Sequence, residues 1–178
     1  MKVAVHDANI FIAIIIADIL NEVFSLPYEI HTSDLVHLEL TQNASQASLL
    51  TKFVTNNKLT LHSFTFEQLQ QMVNEYNRDV SGLSVADCTL LSIAKKRDAY
   101  LLTGDEKLKR IAVNKYKVES HGILWLLDQL VICNKISVEK ATTSLEAIEK
   151  YPIYLPEKLC TKYKTKWRKK STKEPFLR

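Results

Sequence analysis

The apolar and polar positions alternate between two periods along this chain. Residues 2–6, Lys-Val-Ala-Val-His, form a short apolar run that stops at Asp7 and predicts a strand. The apolar stretch at 9–20 is too long for a strand and predicts a helix, with a short helical piece on to Phe24. Pro27 breaks it, and 29–32 predicts a second strand. Ser33 and Asp34 offer caps to a helix carrying L-V-H-L-E-L, in which Leu35, Leu38 and Glu39 share a surface. A helix over 45–55, a strand over 59–62, and a helix from Thr65 to about Tyr76 follow, then a loop over 77–83 around Gly82. Ser84 opens the clearest helix, with Val85, Cys88, Leu91 and Ile93–Ala94 at helical spacing and Lys95, Lys96 and Arg97 at its end. A strand over 99–103, a helix over 106–112 and a fifth strand over 117–119 come next. Helices over 123–132 and 138–149, and one from Pro156, close the chain. Strands alternating with helices predict an α/β fold whose parallel sheet is covered on both faces.

Composition narrows the class without naming a function. A length of 178 residues suits one domain with an appendage, and 46% hydrophobic with 25% charged residues is an ordinary globular balance that sets disorder aside. The densest apolar run, 10–16, falls short of a bilayer span, and Asp7 interrupts any leader-like start. Cys88, Cys133 and Cys160 are odd in number and widely spaced, so they suit buried small side chains in a reducing cytoplasm better than a disulfide framework or zinc site. The net charge of +4 is unevenly spread: residues 158–178 carry nine Lys or Arg against Glu174 alone. The rest of the chain therefore has 24 − 9 = 15 basic and 20 − 1 = 19 acidic residues. Such a tail suits contact with phosphates through counterion release; a solvated, frayed terminus is the alternative.

Four acids stand out by position. Asp7 follows the first strand directly and Asp105 follows the fourth in L-L-T-G-D, while Glu39 and Asp87 lie in early turns of helices starting near that same sheet edge. Open parallel sheets bind ligands beyond the carboxyl ends of their strands. Carboxylates gathered there repel one another, and hard divalent cations such as Mg²⁺ or Mn²⁺ relieve the repulsion and suit phosphoryl chemistry. Each acid also has a structural explanation. Asp7 and Asp105 suit helix caps, Ser84-x-x-Asp87 resembles a capping box, and Glu39 suits a solvated charge. Asn9 and Thr103 flank the acids as accessory groups for water or phosphate, or as ordinary helix-start and strand-end hydrogen-bonders. His6, His31, His37, His62 and His121 show no ligand spacing. Trp125 suits the core; Trp167, among basic residues, suits either a base-stacking platform or a packing anchor. Neither G-x-x-x-x-G-K-[ST] nor G-x-G-x-x-G occurs, which sets nucleotide-binding loops aside. An aspartate-nucleophile phosphatase would want Asp where Asn9 stands, and a phosphorelay receiver would want Asp where His62 and Ser63 stand.

The pieces V-A-V-H-D-A-N-I-F, L-V-H-L-E-L, L-S-V-A-D-C-T-L-L-S-I-A and A-Y-L-L-T-G-D-E-K-L, in that order, resemble the PIN-domain family, which includes VapC-like prokaryotic ribonuclease toxins. H-G-I-L-W-L-L-D-Q-L-V resembles the end of such proteins more loosely. The resemblance implies a three-layer α/β/α sandwich with a central parallel five-stranded sheet, plus C-terminal helices. The matching pieces cover residues 1 to about 117, and the chain is expected to divide into a PIN-like catalytic domain over 1–132, a helical extension packed on it over 133–157, and a basic C-terminal helix or tail over 158–178. It implies Mg²⁺- or Mn²⁺-dependent cleavage of RNA, with Asp7, Glu39, Asp87 and Asp105 as both catalytic and metal-holding residues. It also implies a type II toxin that forms a homodimer and is held by a small antitoxin protein, alongside the cytoplasmic location expected from the cysteines. The rival expectation is a non-catalytic PIN-like module that binds RNA or protein.

Overall fold

A computed structural model describes residues 2–41, 44–78, 82–153 and 155–171. It contains two compact units. The first comprises residues through Ile12 together with Pro27–His121; the second comprises Ala13–Leu26 and the chain from Gly122 onward. Helix α1 (Ala8–Ile16) contributes to both.

The first unit is a five-stranded, wholly parallel sheet in the order β3-β2-β1-β4-β5. The strands are β1 (Lys2–His6), β2 (Tyr28–Ser33), β3 (Leu59–His62), β4 (Tyr100–Leu102) and β5 (Ser120–His121). Val5 is the hub of the register, facing His31 on one side and Leu101 on the other. Both residues are apolar or buried at these points, as a sheet flanked by helices requires. Helices α3 (Asp34–Thr41) and α4 (Ala44–Thr55) pack near β2 and β3, and α7 (Glu106–Tyr116) packs on β5. Helix α6 (Val85–Arg97) packs on β1, β2 and β4 and also meets α5 (Phe66–Asn77).

Helix α6 explains itself in the sequence. Its residues Cys88 through Ala94 are all buried, so it is apolar nearly all round instead of striped. Val85, at its first position, is exposed and not part of the apolar face that spacing assigned to it. Ser84 opens the helix with a capping box, and Asp98 ends it in the left-handed conformation. Thr65 and Gln68 form the same box on α5.

The fifth strand differs from expectation. Helix α7 continues to Tyr116 and ends on Lys117, whose positive φ of 57° is helix-cap and not strand geometry. Pairing therefore begins later, at Ser120, with Glu119 accepting from the Leu101 amide.

In the second unit, α2 (Leu20–Val23) packs on α8 (Ile123–Ile132), α8 on α9 (Val138–Glu149), and α10 (Glu157–Ser171) on both α8 and α9. Asp128 of α8 is the polar tie of this unit: it accepts from the Trp167 indole at 3.1 Å and pairs with Lys166. The cysteines are free; Cys88 and Cys160 are buried and Cys133 is half-buried. Among the described residues no helix is long and apolar enough to cross a membrane.

Candidate active site

The strand order fixes where a cleft can form. From β1 the chain moves outward through β2 to β3, then returns to place β4 on the other side of β1. Successive crossovers then leave in opposite directions from β1 and β4, and that reversal opens a crevice at their carboxyl ends. Asp7 follows β1, and Thr103 to Asp105 follow β4.

A short hydrogen-bond network fastens these two strand ends together. The Asp7 amide donates to the Leu102 carbonyl at 3.0 Å. The Asp7 carboxylate, only 9% exposed as a residue, accepts through Oδ1 from the Ala8 amide at 2.7 Å. Its Oδ2 accepts from Asn9 Nδ2 at 2.9 Å and from the Thr103 hydroxyl at 2.7 Å. Thr103 is buried, and its oxygen also accepts from the Asp105 amide at 3.0 Å. Asn9 reaches across in the other sense, its Oδ1 accepting from the Gly104 amide at 2.8 Å. A Cβ at Gly104 would stand 3.2 Å from that oxygen, so a side chain there crowds Asn9.

Asp87 and Asp105 do serve as helix caps, each with one oxygen. Asp87 Oδ2 accepts from the Ser84 amide at 2.8 Å while the Ser84 hydroxyl accepts from the Asp87 amide at 3.0 Å. Asp105 Oδ1 accepts from the amides of Lys107 at 2.7 Å and Leu108 at 3.0 Å. Among the described residues, Asp87 Oδ1, Asp105 Oδ2 and the exposed Glu39 carboxylate accept no hydrogen bond, and none of the four acids is ion-paired.

Electrostatics ties the four together. Burial raises the Asp7 carboxyl above its ordinary value; hydrogen bonds from Thr103 and Ala8 oppose the rise, and the charges of Asp87 and Asp105 add to it. Glu39 is raised by partial burial and then by the charges of Asp7 and Asp87. Asp87 and Asp105 thus lie close enough to act on Asp7, and Asp7 and Asp87 close enough to act on Glu39. No three His, Cys, Asp or Glu side chains among the described residues are gathered so as to hold a metal ion as they stand.

A family model described as a PIN domain matches residues 3–169. The chain belongs to the PIN-domain family. No curated protein and no solved structure matches it. PIN domains are generally nucleases and usually use divalent metals. In this PIN domain Asp7 and Asp105 follow the two strands that flank the crevice, while Glu39 and Asp87 lie on α3 and α6.

Two features of this PIN domain escaped the sequence. The Asn9–Gly104 bridge spans 95 positions, and no local signal marks it. The His31 and His62 rings share a hydrogen bond of 2.9 Å between neighbouring strands, although the histidines lack any common spacing. His6 is wholly buried beside Asp7, and burial pushes its pKa down to about 3, so it stays neutral. Trp167 is 1% exposed and bonded to Asp128, which makes it a packing anchor and not a base platform.

Proposed function

We propose that this chain is a metal-dependent ribonuclease that hydrolyses RNA phosphodiester bonds at Asp7, Glu39, Asp87 and Asp105. The observation that supports the proposal is that Asp7 and Asp105 follow the two strands at the topological switch, with Asp87 and Asp105 charged near Asp7 and no ion-pair partner for these acids among the described residues. Such repulsion is costly unless a cation is shared. The donor chemistry fits Mg²⁺ or Mn²⁺, which prefer oxygen. Mg²⁺ in particular commonly keeps several waters and takes only one or two carboxylates directly, so a ready three-residue cage is not required.

Asp7, Glu39, Asp87 and Asp105 would hold the ion. When bound, it supplies an activated water and neutralises charge on the phosphoryl oxygens. The chain's own part is positioning. Thr103, Asn9 and the Ala8 amide fix the Asp7 carboxylate, while the two helix caps hold one oxygen of Asp87 and of Asp105 and leave the other outward. On this proposal Asn9 and Thr103 are positioning residues. Resemblance to VapC-like proteins supports a finer version in which the chain is a toxin that forms a homodimer and binds a small antitoxin. Expression beside a small neighbouring reading frame, followed by co-purification, tests that version.

A non-catalytic binding module is the alternative, favoured by the lack, among the described residues, of three acids gathered as for a metal. Incubation of mixed single-stranded RNAs with and without Mn²⁺ separates the two. The expected result is metal-dependent cutting by the wild type and none by Asp87→Asn, which keeps an oxygen for the Ser84 amide. Intact RNA with both Mg²⁺ and Mn²⁺ leaves the binding module standing.

A further inference from the structure

Helix α10 carries seven Lys or Arg against one Glu, and it is a docked helix, not a frayed end. Cys160 and Trp167, seven residues apart and therefore on one side, are both buried. Lys164 pairs with Glu149 and Lys166 with Asp128, so part of the charge is spent on the helix's own unit. Lys158, Lys162 and Lys169 lie on a different stripe, with Lys166 at its border. A recess of about 700 Å³ is lined by Lys158, Thr161, Lys162, Thr165, Lys166 and Lys169, with Tyr163 beside them. Among the described residues no acid lines it, and the lining residues belong to α10. Lys158 and Lys162 are exposed and have no ion-pair partner among the described residues.

Like charges one helical turn apart destabilise a helix, so this stripe opposes the fold unless an anion meets it. The carboxylate cluster has the opposite problem: it repels any polyanion that approaches. Attraction for a nucleic-acid backbone has to come from elsewhere on the chain.

We propose that the Lys158–Lys162 face of α10 is a binding surface for the phosphate backbone of single-stranded RNA. It rests on the nuclease proposal only for the choice of RNA as the polyanion. Lysine ammonium groups and threonine hydroxyls donate to phosphate oxygens without regard to base, so this surface supplies affinity and not sequence choice. Burial of Trp167 sets the helix in place beforehand, and little ordering remains to be done on binding.

The test is fluorescence anisotropy of a labelled single-stranded RNA with the full chain in EDTA, over a series of KCl concentrations. Replacing both lysines, Lys158→Gln with Lys162→Gln, is expected to weaken binding several-fold and to lower the log–log salt slope by about 0.7 per lysine lost. Lys158→Arg with Lys162→Arg is expected to restore the slope, and the glutamine variant is expected to melt no lower than the wild type, since it loses a like-charge repulsion. An unaltered slope in the glutamine variant overturns the proposal. So does a wild type that ignores RNA, including one that binds phosphatidylserine vesicles instead. Parallel cleavage assays with Mn²⁺ keep the two proposals apart. A chain that cuts RNA with an unaltered slope loses only the α10 surface, and one that binds through α10 without cutting loses only the nuclease.

Discussion

Asp7 uses both carboxylate oxygens within the protein, and this makes its partners testable one by one. Thr103→Val keeps the shape of the side chain while removing a donor to a buried carboxylate and an acceptor for the Asp105 amide. A hydrogen bond to a charged group contributes roughly 1.5–3 kcal/mol, and a loss in that range is expected in urea unfolding at neutral pH. The Thr103 bond favours ionised Asp7, so its removal raises that carboxyl further. The penalty should therefore shrink as pH falls through the raised value; an equal penalty at acid pH would detach Thr103 from Asp7 ionisation. Glu39 gives a second pH test. Its carboxyl and that of Asp7 are both raised, so the folded chain holds protons that the unfolded chain has released. Their contribution to stability is full below the unfolded pKa of about 4 and is lost as pH rises through the raised values. Glu39→Gln in EDTA should flatten that loss in a series of thermal melts, and a profile identical to the wild type would uncouple Glu39 from Asp7 and Asp87.

At the scale of elements, the caps were legible and their double use was not. Ser84-x-x-Asp87 signals a helix start, and position beside a sheet edge signals a site; a sequence cannot assign the two oxygens of one carboxylate separately. The structure does so, with Oδ2 on the Ser84 amide and Oδ1 accepting no hydrogen bond among the described residues. The first strand and the helices Ile123–Ile132 and Val138–Glu149 follow the sequence pattern because strong periodicity and clear breaks bound them. The fifth strand slipped because Lys117 ends α7 in a left-handed turn without the Gly or Asn that usually announces one. Trp167 was ambiguous because the partner that settles it, Asp128, lies 39 positions away. Trp167→Ala removes that bond and a large buried side chain together. It should destabilise the second unit by roughly 3–5 kcal/mol, read as a lowered denaturation midpoint. A change within error would mean that α10 is held by its ion pairs alone.

At the scale of the whole molecule, alternation of strands and helices predicted a parallel sheet, whereas the order of strands came only with the structure. That order is what brings the ends of β1 and β4, and so Asp7 and Asp105, to one side of the sheet, since the two strands are adjacent while distant in sequence. If the cluster binds divalent metal, Mn²⁺ should raise the melting temperature over that in EDTA. At a hundredfold excess over the dissociation constant the gain is about 2.7 kcal/mol. Asp87→Asn should reduce the shift, and a wild type whose melting is indifferent to both Mn²⁺ and Mg²⁺ would remove the metal from the proposal.

The adjacency of β1 and β4 also sets a timetable for synthesis. Thr103, which locks Asp7, is made 96 residues after it. At about 5–20 residues per second, the ribosome takes roughly 5–20 s to bridge that interval. Until then the central strand has no neighbour on its β4 side, and the carboxylate cluster lacks Asp105. On the nuclease proposal, a nascent chain would stay inert toward the message that encodes it until residues 103–105, past the midpoint of the polypeptide, have been made.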